Sequence, residues 1–362
     1  MVPYLDDAVK LLRMMVKTPS LSFEEENVQA VISKQLDEWG VKHQLFKRNI
    51  VAIAPDYDPR KKTLALDAHI DTVPANSGYT RDPLNPGDEE DIIWGLGSND
   101  DGGSVVSMTS AFRHLCGRQL PVNLMLVLSC EEERSGPDGA RWLYSGEGPF
   151  GHELPMPDFV IVGEPTGMKA ATSERGLLVL DGEAHGVSGH AARNEGVNAL
   201  YIAMEDIEKL RNHVFSKVSP IMGNVKLTVT QIQAGTAHNV IPDSCKFVVD
   251  IRPTEQYTNE EILSDLQKEC SSTLVARNLT NRSSASSPES ELYKTVERLG
   301  IEMYSSPTTS DWMRISADAL KMGPGESSRS HRPDEFIKKE EIADAINKYI
   351  EFIENIYGDT VE

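Results

Sequence analysis

The chain has 362 residues, of which 36 are Lys or Arg and 56 are Asp or Glu, so its formal net charge at pH 7 is −20. This acidic balance excludes a basic nucleic-acid-binding protein, and 39% hydrophobic with 25% charged residues is a globular rather than a disordered composition. No apolar stretch approaches the ~20 residues that cross a bilayer, and the N-terminal residues lack a secretory pattern, so we expect a cytoplasmic protein without membrane contacts.

Helices and strands alternate in the first half of the chain. Apolar residues at helical spacing predict a helix that ends before Thr18 and Pro19, and Ser22 with Glu25 predicts a capping box for a second helix. Strands are predicted at 49–54, 63–66, 123–129 and 159–162, with a helix at 104–115. This order predicts an α/β fold, with a mostly parallel sheet covered by helices.

The pattern changes near residue 174. Strands at 177–183, 225–233, 245–251 and 273–277, with helices at 198–214 and 259–270, give the order β-α-β-β-α-β, which is typical of a compact α+β domain. A Ser-rich segment then leads to a final helical region. We therefore predict two domains, a discontinuous one formed by 1–173 and 284–362, and one inserted at 174–283.

Acidic and histidine side chains recur along the first domain, mostly just after its predicted strands. Each is ordinary alone, as an exposed turn, a helix cap or a solvated charge run. Parallel strands gather such residues at one sheet edge, where histidines and carboxylates together suit two divalent cations and activated water. The donor types favour zinc, with cobalt or manganese as substitutes. The residues in question are His69, Asp71, Asp100, the triplet Glu131 to Glu133, Glu164 and His331.

Five motifs follow one another along the chain: H-x-D-T-V-P (69–74), G-x-G-S-x-D-D (95–101), the Glu triplet (131–133), V-G-E-P-T (162–166) and G-P-G…H-R-P-D-E (323–335). This set resembles the motifs of the two-zinc deacylases and exopeptidases, which include acetylornithine deacetylase, succinyl-diaminopimelate desuccinylase, aminoacylase and glutamate carboxypeptidase. The last of the five motifs is most similar to that of the acetylornithine deacetylases.

The resemblance implies hydrolysis of the amide bond of an N-acyl amino acid. N-acetyl-L-ornithine or N-succinyl-L-ornithine is the expected substrate, in arginine biosynthesis, and no motif distinguishes the two acyl groups. Succinyl-diaminopimelate desuccinylase is the next alternative, followed by a small dipeptidase or aminopeptidase. A metal-binding dimer without catalysis is the remaining one.

The same resemblance assigns roles in the first domain. His69 and Glu164 would hold one zinc, Glu133 and His331 the other, with Asp100 bridging the two ions.

The resemblance further implies that Asp71 orients His69 and that Glu132 is the general base. A second register, with Glu131 as base and Glu132 as ligand, stays open. Relatives often read D-E-E followed by five residues and Gly, and Gly139 here puts Glu131 in the Asp position, which favours Glu132 as base and Glu133 as ligand. A cis peptide bond after Asp100 is also implied.

The inserted domain carries two more matching segments. Gly186-Val-Ser-Gly-His190 resembles the segment whose histidine, in relatives, reaches the partner subunit's active site to polarise the scissile carbonyl. Asn239 and Arg252 lie in segments that resemble those holding the substrate carboxylate. The resemblance therefore implies a homodimer that forms through this domain.

Overall fold

The computed structural model describes residues 2–193 and 195–358. Among these, residues 2–172, 286–304 and 310–358 pack as one unit, and residues 173–193, 195–285 and 305–309 pack as another. We refer to them as unit 1 and unit 2. The short segment 305–309 also belongs to unit 2. The sequence does not predict this second segment of unit 2.

The helices and strands are numbered in chain order. The helices are α1 Leu5–Val16, α2 Glu26–Glu38, α3 Gly103–Leu115, α4 Ala140–Leu143, α5 Ala199–Asn212, α6 Asn259–Glu269, α7 Glu291–Arg298 and α8 Lys339–Glu354. The strands are β1 Gln44–Phe46, β2 Asn49–Ile53, β3 Thr63–His69, β4 Ile92–Trp94, β5 Asn123–Ser129, β6 Phe159–Val162, β7 Ala170–Glu174, β8 Leu178–His185, β9 Gly189–His190, β10 Lys226–Ala234, β11 Val240–Ile241, β12 Ser244–Arg252, β13 Thr273–Ala276, β14 Ser284–Ala285, β15 Met303–Ser306, β16 Asp318–Lys321 and β17 Phe336–Lys338.

A sheet with the strand order β1-β2-β5-β3-β6-β16-β7 runs through unit 1. The pairs β5–β3, β3–β6 and β6–β16 are parallel, whereas β1–β2, β2–β5 and β16–β7 are antiparallel. Every residue of β3, β5 and β6 is buried. Such continuous burial is characteristic of parallel strands covered on both faces, so the predicted fold class is confirmed.

Strand β5 shows how the sequence fills both faces. Leu124, Leu126 and Leu128 join an apolar layer formed with the long helices α1, α2, α3 and α8. Met125 and Val127, between them, join the opposite layer around α4 and Trp312. The nearly continuous apolar run is therefore required, because successive side chains of a strand point to opposite faces.

Two predictions for unit 1 are wrong in detail. The last segment is not only helical, since β16 inserts between β6 and β7. Ser22 and Glu25 do not form a capping box, because α2 begins at Glu26 and the Ser22 hydroxyl donates instead to the carboxylate of Asp71, at 2.6 Å. A long-range contact thus replaces the local one that the spacing favours.

Unit 2 has an antiparallel sheet of order β10-β12-β8-β13. Helices α5 and α6 contribute to its apolar core together with alternate residues of the strands. In β8 buried residues alternate with residues that are not fully buried, so one sheet face is open. None of the helices that the structure describes, in residues 2–193 and 195–358, has the length and apolar character needed to cross a membrane.

Candidate metal centre

The ends of three neighbouring parallel strands place the candidate ligands. His69 is the last residue of β3 and lies in register with Ser129, the last residue of β5, after which the Glu triplet follows. Strand β6 ends at Val162, two residues before Glu164. Parallel strands end at one edge, so their loops converge there.

Two overlapping groups of side chains could each hold a cation. In each group the candidate ligand atoms lie within 4.8 Å of one another. His69 belongs to both, and its Nε2 atom is 3.3 Å from Oδ1 of Asp100. The groups are His69, Glu132 and Glu164, and His69, Asp100 and Glu133.

His331 reaches this site from a distant loop. Its Nε2 atom lies 2.9 Å from Oε1 of Glu133 and 3.8 Å from Oδ2 of Asp100. Its side chain is 54% exposed, whereas that of His69 is 2% exposed. The sequence-predicted ligands are therefore together, with His331 on the solvent side.

Asp71 links the histidine and the glutamate turn. The Nδ1 atom of His69 is 3.0 Å from the backbone oxygen of Asp71, which can only accept, so Nδ1 carries the proton and Nε2 is the free ligand nitrogen. The Asp71 carboxylate accepts from the backbone N–H groups of Glu132 (3.0 Å) and Glu133 (3.1 Å). Asp71 thus contacts two ligand-bearing segments, one through its backbone oxygen and the other through its carboxylate.

Glu131 differs from its two neighbours in the triplet. Its buried carboxylate binds the guanidinium of Arg48 and accepts from the backbone N–H of Asp138 at 2.9 Å. Glu132 and Glu133 appear in the two groups above, and Glu131 does not.

Burial and crowding raise several pKa values at the site. Burial, with the neighbouring carboxylates Glu164, Asp311 and Glu133, raises the pKa of Glu132 well above its usual value. Burial raises the pKa of Glu164 to about 8, although the buried Lys321 acts in the opposite direction.

Histidine residues and carboxylates that contact each other at the site have pKa values shifted by those contacts. The hydrogen bond with Glu133 raises the pKa of His331 to about 9 against the effect of burial. Burial opposes the charged form of His69, but Asp100 and Asp71 outweigh it and hold the pKa of His69 well above its usual value. Burial acts to raise the pKa of Asp71 and that of Asp100, but hydrogen bonds and charge from His69, together with other neighbours, outweigh it and lower both values.

Sequence reasoning missed residues that hold the Asp100 loop. The buried carboxylate of Glu335 accepts from the backbone N–H groups of Gly97 (3.2 Å), Asn99 (2.9 Å) and Asp100 (2.9 Å). The Asn99 side chain in turn accepts from the backbone N–H of Glu326 at 2.9 Å, in the loop that leads to His331. Glu335 closes the last matching motif, which was the one available signal. The peptide bond between Asp100 and Asp101 is cis.

In unit 2 the structure brings together two of the three predicted residues. His190 pairs in register with Val240, and the N–H of Ala191 donates to the backbone oxygen of Asn239 at 3.0 Å. His190 and Asn239 are both exposed. Arg252 lies on β12, where its Nε donates to Asp250 at 2.8 Å.

The donor set fits divalent cations. Neutral imidazole nitrogens and carboxylate oxygens are ligands of zinc, cobalt and manganese, and several carboxylates buried side by side need a cation or protons to offset their charge. The raised pKa values of Glu132 and Glu164 agree with this, because burial among other carboxylates favours the protonated form of each.

Comparison with known proteins identifies the family of the chain. Residues 65–355 match the family described as Peptidase family M20/M25/M40. Acetylornithine deacetylase of Proteus mirabilis is 28% identical over 296 residues, which cover 76% of this chain and 74% of that protein. Acetylornithine deacetylase of Pectobacterium atrosepticum is 26% identical over 373 residues, covering 91% and 92%.

Solved structures show the same fold. Aminopeptidase PepT of Bacillus cereus superposes with a TM-score of 0.77 at 18% identity, covering 98% of this chain and 99% of that one. The YXEP protein of Bacillus subtilis, described as a dinuclear metal binding peptidase, gives a TM-score of 0.72 at 15% identity with 97% of each chain covered.

Proposed function

This chain belongs to peptidase family M20/M25/M40, and from that premise we propose that it is a zinc-dependent hydrolase of the amide bond of N-acyl amino acids. The preferred substrate is N-acetyl-L-ornithine or N-succinyl-L-ornithine, with L-ornithine for arginine biosynthesis as the product. The observation that carries the proposal is the pair of overlapping ligand groups that share His69. The substrate class is supported by the relatives named acetylornithine deacetylase.

A peptidase is the second candidate. The structural likeness to an aminopeptidase of Bacillus cereus favours it, because the same metal centre cleaves an acyl–amine bond whether the acyl group is an acetate or an amino acid. A succinyl-diaminopimelate desuccinylase differs from the first proposal only in the amine that is released.

We assign the ligands as follows. His69 and Glu164 would hold one zinc ion, Glu133 and His331 would hold the other, and Asp100 would contribute to both sites. Bound zinc ions would supply Lewis acidity for the acyl oxygen and for water. The 3.3 Å and 3.8 Å approaches of the two Asp100 oxygens to His69 and His331 support its bridging position.

Glu132 is the general base in this proposal. Its carboxylate takes a proton from the attacking water as the new C–O bond forms, and returns that proton to the amine nitrogen as the C–N bond breaks. The position of the Glu132 carboxylate beside His69 and Glu164 supports this role. The ion pair of Glu131 with Arg48 supports the register in which Glu132 is the base and Glu133 the ligand.

We propose that unit 2 supplies the contacts to the substrate and the dimer interface. His190 would donate to the developing oxyanion, and Asn239 and Arg252 would bind the substrate carboxylate. For the homodimer, support comes from β10, a nine-residue edge strand of its sheet, and from the 51% exposed side chain of Ile232 on it. An edge strand leaves backbone N–H and C=O groups that can pair with another chain.

Metal analysis with an amine-release assay tests the function. Purified protein is assayed with N-acetylornithine, N-succinylornithine, succinyl-diaminopimelate and a dipeptide, before and after chelation, with E132Q as the matched inactive variant. We expect two bound ions and the highest kcat/KM for an acylornithine. Highest activity on the dipeptide would replace our proposal with the peptidase alternative. Two bound ions without turnover of any substrate would leave a metal-binding protein without catalysis.

A further inference from the structure

The turn that carries Glu132 and Glu133 is stabilised by hydrogen bonds to side chains from distant segments of the chain. It is a three-residue 3-10 helix, and Glu131 before it has φ of 61°, a conformation that a residue other than glycine adopts at a cost. The backbone N–H of Glu131 donates to Oε1 of Glu25 at 3.0 Å. The next two N–H groups donate to Asp71, as described above. Two carboxylates from distant segments therefore fix three consecutive residues.

Glu25 contacts none of the candidate ligands. It lies at the start of α2, is fully buried, and also accepts from the backbone N–H of Phe23 at 3.0 Å. Its Oε2 atom forms an ion pair with Nε of Arg48 at 2.7 Å. The Nη2 atom of Arg48 binds the carboxylate of Glu131. One guanidinium thus bridges two buried carboxylates, and we call this set the Glu25–Arg48–Glu131 chain.

We infer that the Glu25–Arg48–Glu131 chain positions the glutamate triplet, so that Glu132 and Glu133 face the metal ligands and Glu131 does not. Arg48 neutralises Glu131, which otherwise would be a third carboxylate able to compete for a cation. Removing one partner of a buried ion pair leaves an uncompensated charge, which is strongly destabilising. Because Glu131 directly precedes the turn, a displacement of Glu131 that relieves this charge also displaces Glu132 and Glu133. The inference rests on the proposed metal site, but not on turnover.

Close backbone packing shows how little room the turn has. A Cβ atom at Gly136 would overlap the carboxylate of Glu131, and one at Gly139 would overlap the backbone oxygen of Cys130. The loop after the triplet therefore wraps tightly around the Glu131 side chain.

Zinc titration of the chelated protein tests the inference, with R48M as the main variant and R48K as the conservative one. The matched control is R113M. Arg113 also has a buried side chain, 10% exposed, and pairs with Asp7 at 3.0 Å. Arg113 lies in the last turn of α3. It is ten residues, and therefore about 15 Å along the helix, from Gly103, where α3 begins just after the loop that carries Asp100.

We expect R48M and R113M both to lower Tm. Only R48M should weaken zinc binding, by about 10- to 100-fold in at least one of the two binding steps, as loss of groups that orient ligands typically does. R48M should also lower kcat more than it changes KM, and R48K should restore part of the affinity. Wild-type zinc affinity in R48M, or an equal loss in R113M, would overturn the inference.

Two further results separate this inference from the proposed function. If R48M does not fold, E25Q replaces it, because glutamine keeps the acceptor for the N–H of Glu131 and loses the charge that pairs with Arg48. E25Q should then bind zinc more weakly than the wild type. Wild-type affinity in both R48K and E25Q refutes the inference. A wild-type protein that binds zinc without turnover refutes the proposed function alone.

Discussion

The pH dependence of stability in the chelated protein follows from the buried acids of the site. Burial raises the pKa of Glu164 to about 8 from a model-peptide value of 4.5, and Glu133 raises that of His331 to about 9 from 6.5. In both cases the folded protein holds a proton that the unfolded chain releases at lower pH. Each group therefore contributes its full stability below its pKa in the unfolded chain. This contribution is lost as the pH rises through its pKa in the folded protein.

The size of the effect comes from proton linkage. Each additional proton bound by the folded state lowers the free energy of unfolding by about 1.4 kcal/mol per pH unit. Glu164 acts between 4.5 and about 8, and His331 between 6.5 and about 9. The lowered pKa values of Asp71 and Asp100 start from 3.8, so they act below this window and do not compensate. We therefore expect stability to fall throughout the range from about pH 5 to about pH 9.

Zinc should reverse this trend. Metal ligands must be deprotonated, so zinc replaces the protons on the site, and its stabilising effect grows as the pH rises. Urea unfolding of chelated and zinc-loaded protein at a series of pH values measures both trends. E164Q should show a shallower slope for the chelated protein below about pH 8, whereas E340Q, with a side chain that is 75% exposed, should keep the wild-type slope. A flat profile for the chelated wild type, or an unchanged slope in E164Q, would refute the reasoning.

Three substitutions test separate parts of the proposed site. E132Q should keep two zinc ions by metal analysis and lower kcat by about 10²- to 10⁴-fold, whereas E131Q, which removes one of the two buried carboxylates that pair with Arg48, should lower Tm and weaken zinc binding; loss of zinc in E132Q would contradict the assignment of the base. H190A should lower kcat by about 10²- to 10³-fold without changing Tm or zinc content, because the side chain is exposed, and an unchanged kcat would remove its oxyanion role. I232E should convert a dimer to a monomer in light scattering, and a dimer that persists would place the interface elsewhere.

The sequence predicts those parts of unit 1 that depend on local pattern. Strand β5 has a nearly continuous apolar run, and its bounds, Asn123–Ser129, are those that the run predicts. Strand β16 was missed because Asp318 to Lys321 is four residues long and has a charged residue at each end. Its place in the sheet depends on pairing with β6, which no local pattern encodes.

The same distinction applies to the site. Residues just past buried strands, such as His69 and Glu164, are predictable because the end of the strand places them. Ser22 and Glu25 were given a local capping role, since their spacing matches that pattern. In the structure they contact Asp71 and Glu131, which lie far along the chain. The spacing of two residues cannot indicate a partner that only the tertiary fold brings near.

Buried carboxylates have a second role at this site, as acceptors for the backbone of the loops that carry the ligands. The sheet brings its loops to one edge, but a loop without regular structure leaves its N–H groups unpaired and its side chains free to turn away. Asp71, Glu25 and Glu335 satisfy those groups and set the direction of the neighbouring side chains. A carboxylate suits this task because its two oxygens accept several bonds at once, and bonds to a charged acceptor are stronger than those to a neutral one.

This arrangement also couples the loops to one another. Asp71 contacts both His69 and the glutamate turn, and Glu335 holds the loop of Asp100, whose neighbour Asn99 binds the segment before His331. A change at one acceptor therefore displaces ligands on more than one loop. For that reason substitutions at Asp71 or Glu335 should affect both metal-binding steps together, whereas a substitution of a terminal ligand such as His331 should weaken mainly binding of the ion that it would hold.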